Sequence, residues 1–136
     1  MKCPVCKEPM IILELKEVEI DYCPSCEGIW LDAGELELLI EDEADRRKIL
    51  SIFHKVSEYS EKKRKCPICN KKMDKVFVGD NKDILLDRCP DNDGLWFDHG
   101  ELKKVIQLVS EENDVVKLLN DIFGKKITSN KNGENK

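Results

Sequence analysis

The chain has 136 residues, 40% hydrophobic and 38% charged, with a net charge of −5, which fits one ordinary domain or two small ones. Its longest apolar run, Met10 to Leu13, is four residues, far short of the roughly 18–20 that a membrane helix needs. Basic charge collects in residues 55–75, with 8 basic and 3 acidic side chains, and in the tail from Lys125, with 4 and 1; the rest is acidic, so the whole is not the footprint of a general nucleic-acid binder. With Cys3 this close to the first residue no secretory leader is expected, and the expected location is the cytoplasm, with no membrane partner.

Taken in chain order, the sequence opens on a C-P-x-C turn, "CPVCKEPM" (residues 3–10). "MIILELKEVEIDY" follows and reads as two short strands joined at Lys16–Glu17. A second turn, "CPSC" (residues 23–26), leads into a third strand, "GIWLD". Asp32 and Glu35 then form a pattern like a capping box, in which Asp32 accepts from first-turn amides and Glu35 suits the positive helix end. Leu36, Leu39, Ile40, Ile49, Leu50, Phe53 and Val56 recur at helical spacing. The first helix is therefore expected to run from near Gly34 through His54, a surface or half-buried position, and to fade in "EKKRK" (residues 61–65).

The pattern then repeats. "CPICNKKM" (residues 66–73) matches the opening, and "MDKVFV" and "ILLDR" flank a turn signal at Gly79-Asp80-Asn81. "CPDNDGLWFDHGEL" (residues 89–102) matches "CPSCEGIWLDAGEL" (residues 23–36) at eight of fourteen positions. A second helix is expected from near Gly100 through Leu102, Val105, Ile106 and Val109. Its face continues at Val116, Leu119, Ile122 and Phe123 after a break near 110–113, with Gly124 as a C-cap. Both apolar helical faces are too long for a small ribbon to cover, so the helices should pack on each other or on a second copy. The polar tail after Gly124 is expected to be disordered. The expected units are 1–62, 63–124 and the tail 125–136.

Six of the seven cysteines sit in C-x-x-C pairs. In a reducing compartment this points to metal rather than disulfides. Each pair lies on a tight turn that aims two sulfurs at one point, and the hairpin between turns brings Cys3, Cys6, Cys23 and Cys26 together as four thiolates. Tetrahedral sulfur coordination fits zinc, or a single iron; zinc is the commoner structural metal. Repeat two offers Cys66, Cys69 and Cys89 but has Asn92 where repeat one has Cys26. Its fourth ligand is left open among Asp93, His99 and water. Asp93 is anionic and adjacent, whereas His99 is the better chemical ligand but lies a strand of about 16 Å away at roughly 3.3 Å per residue. Two Zn²⁺ per chain are expected, the second held more weakly.

The two repeats resemble the zinc-ribbon family named after the N-terminal ribbon of transcription factor IIB, over residues 3–40 and 66–106, with the C-P-x-x-x-G-x-W-x-D-x-G-E-L close as signature. The resemblance implies zinc-binding three-stranded ribbons with Cys3, Cys6, Cys23 and Cys26 as ligands of the first, and a His rather than Asp at the position of Asp93. It implies little about activity. The fold expected is small α+β: two tandem three-stranded antiparallel ribbons, each followed by an α-helix. Trp30 and Trp96 are read as covers over their own metal sites, not as platforms for bases.

No phosphate loop and no nucleophile–base pair accompanies the cysteines, so no catalytic residues are expected. The reading is a non-enzymatic zinc module for a protein partner, or for self-association through its helices. Nucleic-acid binding through the basic stretch 55–75 is the alternative, and a zinc enzyme at the second site a third.

Overall fold

A computed structural model describes residues 1–56, 64–79, 84–110 and 113–121. In repeat one, β1 (Ile11–Leu15), β2 (Val18–Tyr22) and β3 (Ile29–Asp32) are followed by short helices α1 (Glu35–Leu38) and α2 (Glu43–Ser51). Then comes β4 (Phe53–Lys55). In repeat two, β5 (Asp74–Val78), β6 (Ile84–Arg88) and β7 (Gly94–Phe97) lead to α3 (Glu101–Gln107), and residues 114–121 form a further helix, α4. The β1–β2 hairpin turns where the sequence places it. Lys16 and Glu17 both take positive φ, 49° and 67°, the backbone signature of a type I′ turn.

The α+β class holds, but the arrangement differs from two separate ribbons. All seven strands join one antiparallel sheet in the order β1-β2-β3-β7-β6-β5-β4. The repeats meet at β3 and β7, where Trp30 lies opposite Trp96, with Ile29 facing Phe97 and Leu31 facing Leu95. The pairing is symmetric about the two tryptophans, so the sequence repeat becomes an approximate twofold in the sheet.

Strand alternation gives the sheet two different faces. One face carries Leu15, Val18, Ile20, Ile29, Leu31, Val76, Leu86 and Phe97, packed against Leu36, Ile40 and Ile49 of repeat one. Leu102, Val105 and Ile106, together with Val116 and Leu119, complete the same core. The helices of both repeats thus cover one continuous core on the sheet, α1 against β3 and α3 against β6, whereas the sequence predicts that their apolar faces meet each other or a second copy. The other face carries the tryptophans and cysteines.

The long first helix is a correction. It breaks into α1 and α2, where the Asp42 side chain accepts from the Asp45 amide as an N-cap. It ends at Ser51, and His54 lies in strand β4 opposite Phe77 of repeat two. The extended backbone puts Phe53 on the core side and His54 on the other, a split that a helix would not make. Of the charged run 61–65, residues 61–63 lie outside the described residues, as do Ile122, Phe123, the Gly124 cap and the tail.

Candidate metal centres

Each metal-ligand turn is built alike. Proline follows the first cysteine, fixing φ and contributing no amide hydrogen, so the next amides aim at the sulfur. Val5 and Cys6 N–H both donate to Cys3 Sγ at 3.3 Å. Cys26 N–H donates to Cys23 Sγ at 3.5 Å, Ile68 N–H to Cys66 Sγ at 3.4 Å and Asp91 N–H to Cys89 Sγ at 3.3 Å. Three turns close through an amide four residues on: Lys7 to Cys3 O, Glu27 to Cys23 O and Asn70 to Cys66 O. In each, that closing residue adopts the left-handed conformation.

The fourth turn answers the missing cysteine. It closes one residue early, Asn92 N–H donating to Cys89 O at 3.0 Å, and Asn92 itself takes φ 63°. Asparagine tolerates that conformation better than most residues. Asp93 becomes the first residue past the closure. Its carboxylate oxygen Oδ2 lies 3.3 Å from Cys89 Sγ and 3.6 Å from Cys66 Sγ.

Two donor groups result, Cys3 with Cys6, Cys23 and Cys26, and Cys66 with Cys69, Cys89 and Asp93. Within each, all donor atoms lie within 4.8 Å of one another. Cys3 Sγ and Cys26 Sγ are 3.7 Å apart, and Cys69 Sγ and Cys89 Sγ 3.6 Å. These are not disulfides, which measure about 2.05 Å. Two zinc–sulfur bonds of about 2.3 Å at a tetrahedral angle separate the sulfurs by about 3.8 Å, and a zinc-bound sulfur and carboxylate oxygen by about 3.6 Å. The observed spacings fit a tetrahedron around zinc.

Protonation chemistry points the same way. Burial pushes the Cys66 thiol up, raises Cys26 further, and takes Cys89 to about 12. Burial also opposes the Cys23 thiolate, but amides of Cys26 and Ser25 outweigh it and hold that thiol below its ordinary value. Such crowded, buried sulfurs shed their protons when a cation replaces them.

His99 is not brought to the second group. Half exposed, it sets Nδ1 2.9 Å from Glu27 Oε2, next to the first site's Cys26.

The tryptophans are fully buried in the cysteine-containing cluster, which removes them as stacking platforms. Their expected placement needs correction too. A Cβ built on Gly28, in the turn of repeat one, falls 2.2 Å from Trp96 Cζ2; one on Gly94 falls 2.6 Å from Trp30 Cζ2 and 2.2 Å from Leu31 O. Each indole therefore covers the other repeat's metal turn. Nothing local demands glycine in G-x-W, and that mismatch was the signal for a contact between repeats.

The aspartates of the D-x-G-E pattern also act differently from caps. Asp32 Oδ1 accepts from Trp30 Nε1 at 2.9 Å and Asp98 Oδ1 from Trp96 Nε1 at 3.0 Å. Glu35 and Glu101 do reach back, accepting from the Asp32 and Asp98 amides at 2.7 and 2.8 Å.

Fold and donor sets together define a small zinc-ribbon protein with two metal sites. The family model described as transcription factor zinc-finger matches residues 2–42 and 65–108, and the chain belongs to that family in two tandem copies. No curated protein and no solved structure matches the chain. Donor geometry and family membership agree on two zinc ions per chain.

Proposed function

We propose that the protein is a non-enzymatic module in which both zincs are structural and the folded surface engages a protein partner. The observation that carries this reading is that each donor group offers four ligand atoms, two from buried and two from half-buried residues, leaving no position for a substrate or an activated water. In this reading Asp93 is the fourth ligand of the second site. A carboxylate oxygen there competes less well than sulfur for zinc, so the second zinc is the weaker.

The basic stretch offers less than its composition suggests. Lys75 is buried in an ion pair with Asp87 at 2.7 Å, and Arg64 faces Asp87 and Asp98 at 3.5 and 2.5 Å. Lys71 is paired with Asp91 at 2.6 Å. Three of the eight basic side chains are thus engaged within the molecule, which disfavours the nucleic-acid alternative.

The test sets the zinc-loaded chain against labelled single-stranded DNA, duplex DNA and RNA at low salt, beside identification of what co-purifies with the untagged protein. The expected result is no nucleic-acid retention and a protein partner lost on chelation. Binding to nucleic acid that falls steeply with salt would overturn the reading, as would zinc-dependent turnover abolished by Cys89→Ser.

A further inference from the structure

The two halves of the sheet are not finished alike. In repeat two, β5 is flanked by β4, with Lys55 opposite Val76 and the Val56 amide donating to Lys75 O at 3.1 Å. The equivalent strand of repeat one is β1, whose residues Ile12 to Leu15 correspond to Lys75 to Val78. Among the described residues no strand lies beyond β1. Ile11 and Ile12 on it are 47% and 64% exposed.

The recess beside β1 differs in the same sense. Asp87 and Asp98 of repeat two are met by Lys75 and Arg64. Their counterparts in repeat one, Asp21 and Asp32, are retained, but Ile12 stands at the position of Lys75 and Met1 at that of Arg64. Asp21 pairs with Ile12 across β1–β2 and with Trp30 across β2–β3. Ile12, Glu19, Ile20, Asp21, Asp32 and Glu35 line a cavity of about 350 Å³. Among the described residues no cationic side chain lines it.

We infer that the outer edge of β1 and this acidic recess form a docking site for an extended segment of another protein that carries an arginine or lysine. The segment would add to β1 as β4 adds to β5. Its basic residue would sit opposite Ile12, as Val56 sits opposite Lys75. Strands lie about 4.8 Å apart, so the side chain must cross one strand, β1, to reach Asp21 on β2. The stem of an arginine spans that distance and would cover the exposed Ile12 on the way. Main-chain bonds then supply affinity and the buried cation supplies selectivity.

A second copy of the chain is the poorer occupant. β1 carries Glu14 and no basic residue, so pairing β1 with β1 would bring no cation to the recess.

The inference rests on the protein-partner reading above but can fail alone. The probe is a capped peptide copying residues 50–56 with Val56→Arg, titrated into zinc-loaded, isotope-labelled protein; the control peptide carries Val56→Glu. The expected result is amide shifts confined to residues 11–15 and their β2 partners for the arginine peptide only. Affinity should fall at least about fivefold in Asp21→Asn, whose unchanged spectrum shows that it is folded. Equal binding of both peptides, shifts centred away from β1, or no shift at millimolar peptide would overturn the proposal. So would shifts at β1 that follow protein concentration without peptide, which would make the occupant a second copy. A zinc-dependent partner captured equally by wild type and Asp21→Asn would overturn the docking site while leaving the protein-partner reading intact.

Discussion

Asn92 shows how one residue can relocate a ligand. By taking the left-handed conformation it closes its turn a residue early and hands the fourth position to Asp93. Asn92→Gly should therefore be neutral, whereas Asn92→Ala should cost on the order of 1–2 kcal/mol in chemical denaturation of the zinc-loaded protein, the cost of that conformation for an ordinary side chain. Gly28 and Gly94 are held by the opposite repeat's tryptophan rather than by backbone strain. Gly28→Ala needs an indole to move and should destabilise the whole molecule, by about 1–3 kcal/mol on the scale of an overpacked core. If Gly28→Ala instead keeps wild-type stability and zinc affinity, the reciprocal cover is wrong. Glu101 adds a pH dependence. Burial, with the charges of Asp98 and Asp87 adding to it, raises its carboxyl from the ordinary 4.5 to about 7. The stability it contributes is complete below about 4.5 and is lost as pH rises through about 7. Glu101→Gln should melt above wild type at about pH 8, and the gap should close toward about pH 6, where zinc release by acid acts on both proteins alike.

At the scale of single elements, the β1–β2 turn sets backbone geometry against surface charge. Lys16 and Glu17 both hold left-handed conformations, each costing roughly 1–2 kcal/mol for an ordinary residue. In return the Lys16 ammonium reaches Glu41 at 3.3 Å and Asp114 at 3.0 Å. Those pairs are substantially exposed, and such pairs contribute about 0–1 kcal/mol. Replacing Lys16-Glu17 by Asn-Gly should therefore raise the melting temperature; a fall would show that the ion pairs outweigh the turn. This hairpin and the third strands were legible in the sequence because their signals are local: period-two alternation, turn residues and cysteine spacing. Strand β4 was not. Ile49, Phe53 and Val56 fit a helical period as well as a strand, and the choice is made by Val76, Phe77 and Val78 across a gap of over twenty residues. The second metal site was half legible. Adjacency and charge favoured Asp93 and ligand chemistry favoured His99, and only the position of Asn92 in its turn decides between them.

For the molecule as a whole, the joining of β3 to β7 makes the repeats interdependent. Each tryptophan lies over the other repeat's metal turn, and one core draws on helices of both. Isolated chains 1–62 and 63–124 should each bind zinc weakly and show poor amide dispersion, while their mixture should recover both; a well-dispersed single half would count against this coupling. Structural zinc contributes apparent binding energies of about 10–16 kcal/mol to small domains, comparable to the total stability of most. Removing it from this sheet should unravel the strands while leaving some helix.

Both ribbons depend on one chain closing two donor groups around zinc, the second with Asp93 among its donors. Native mass spectrometry of the full chain, titrated with a zinc chelator, tests it most directly. Wild type should carry two zincs and release one first, and Asp93→Ala should retain only one tightly, with Asp93→Cys restoring the second. One zinc in the wild type, or two equally tight zincs in Asp93→Ala, would contradict it.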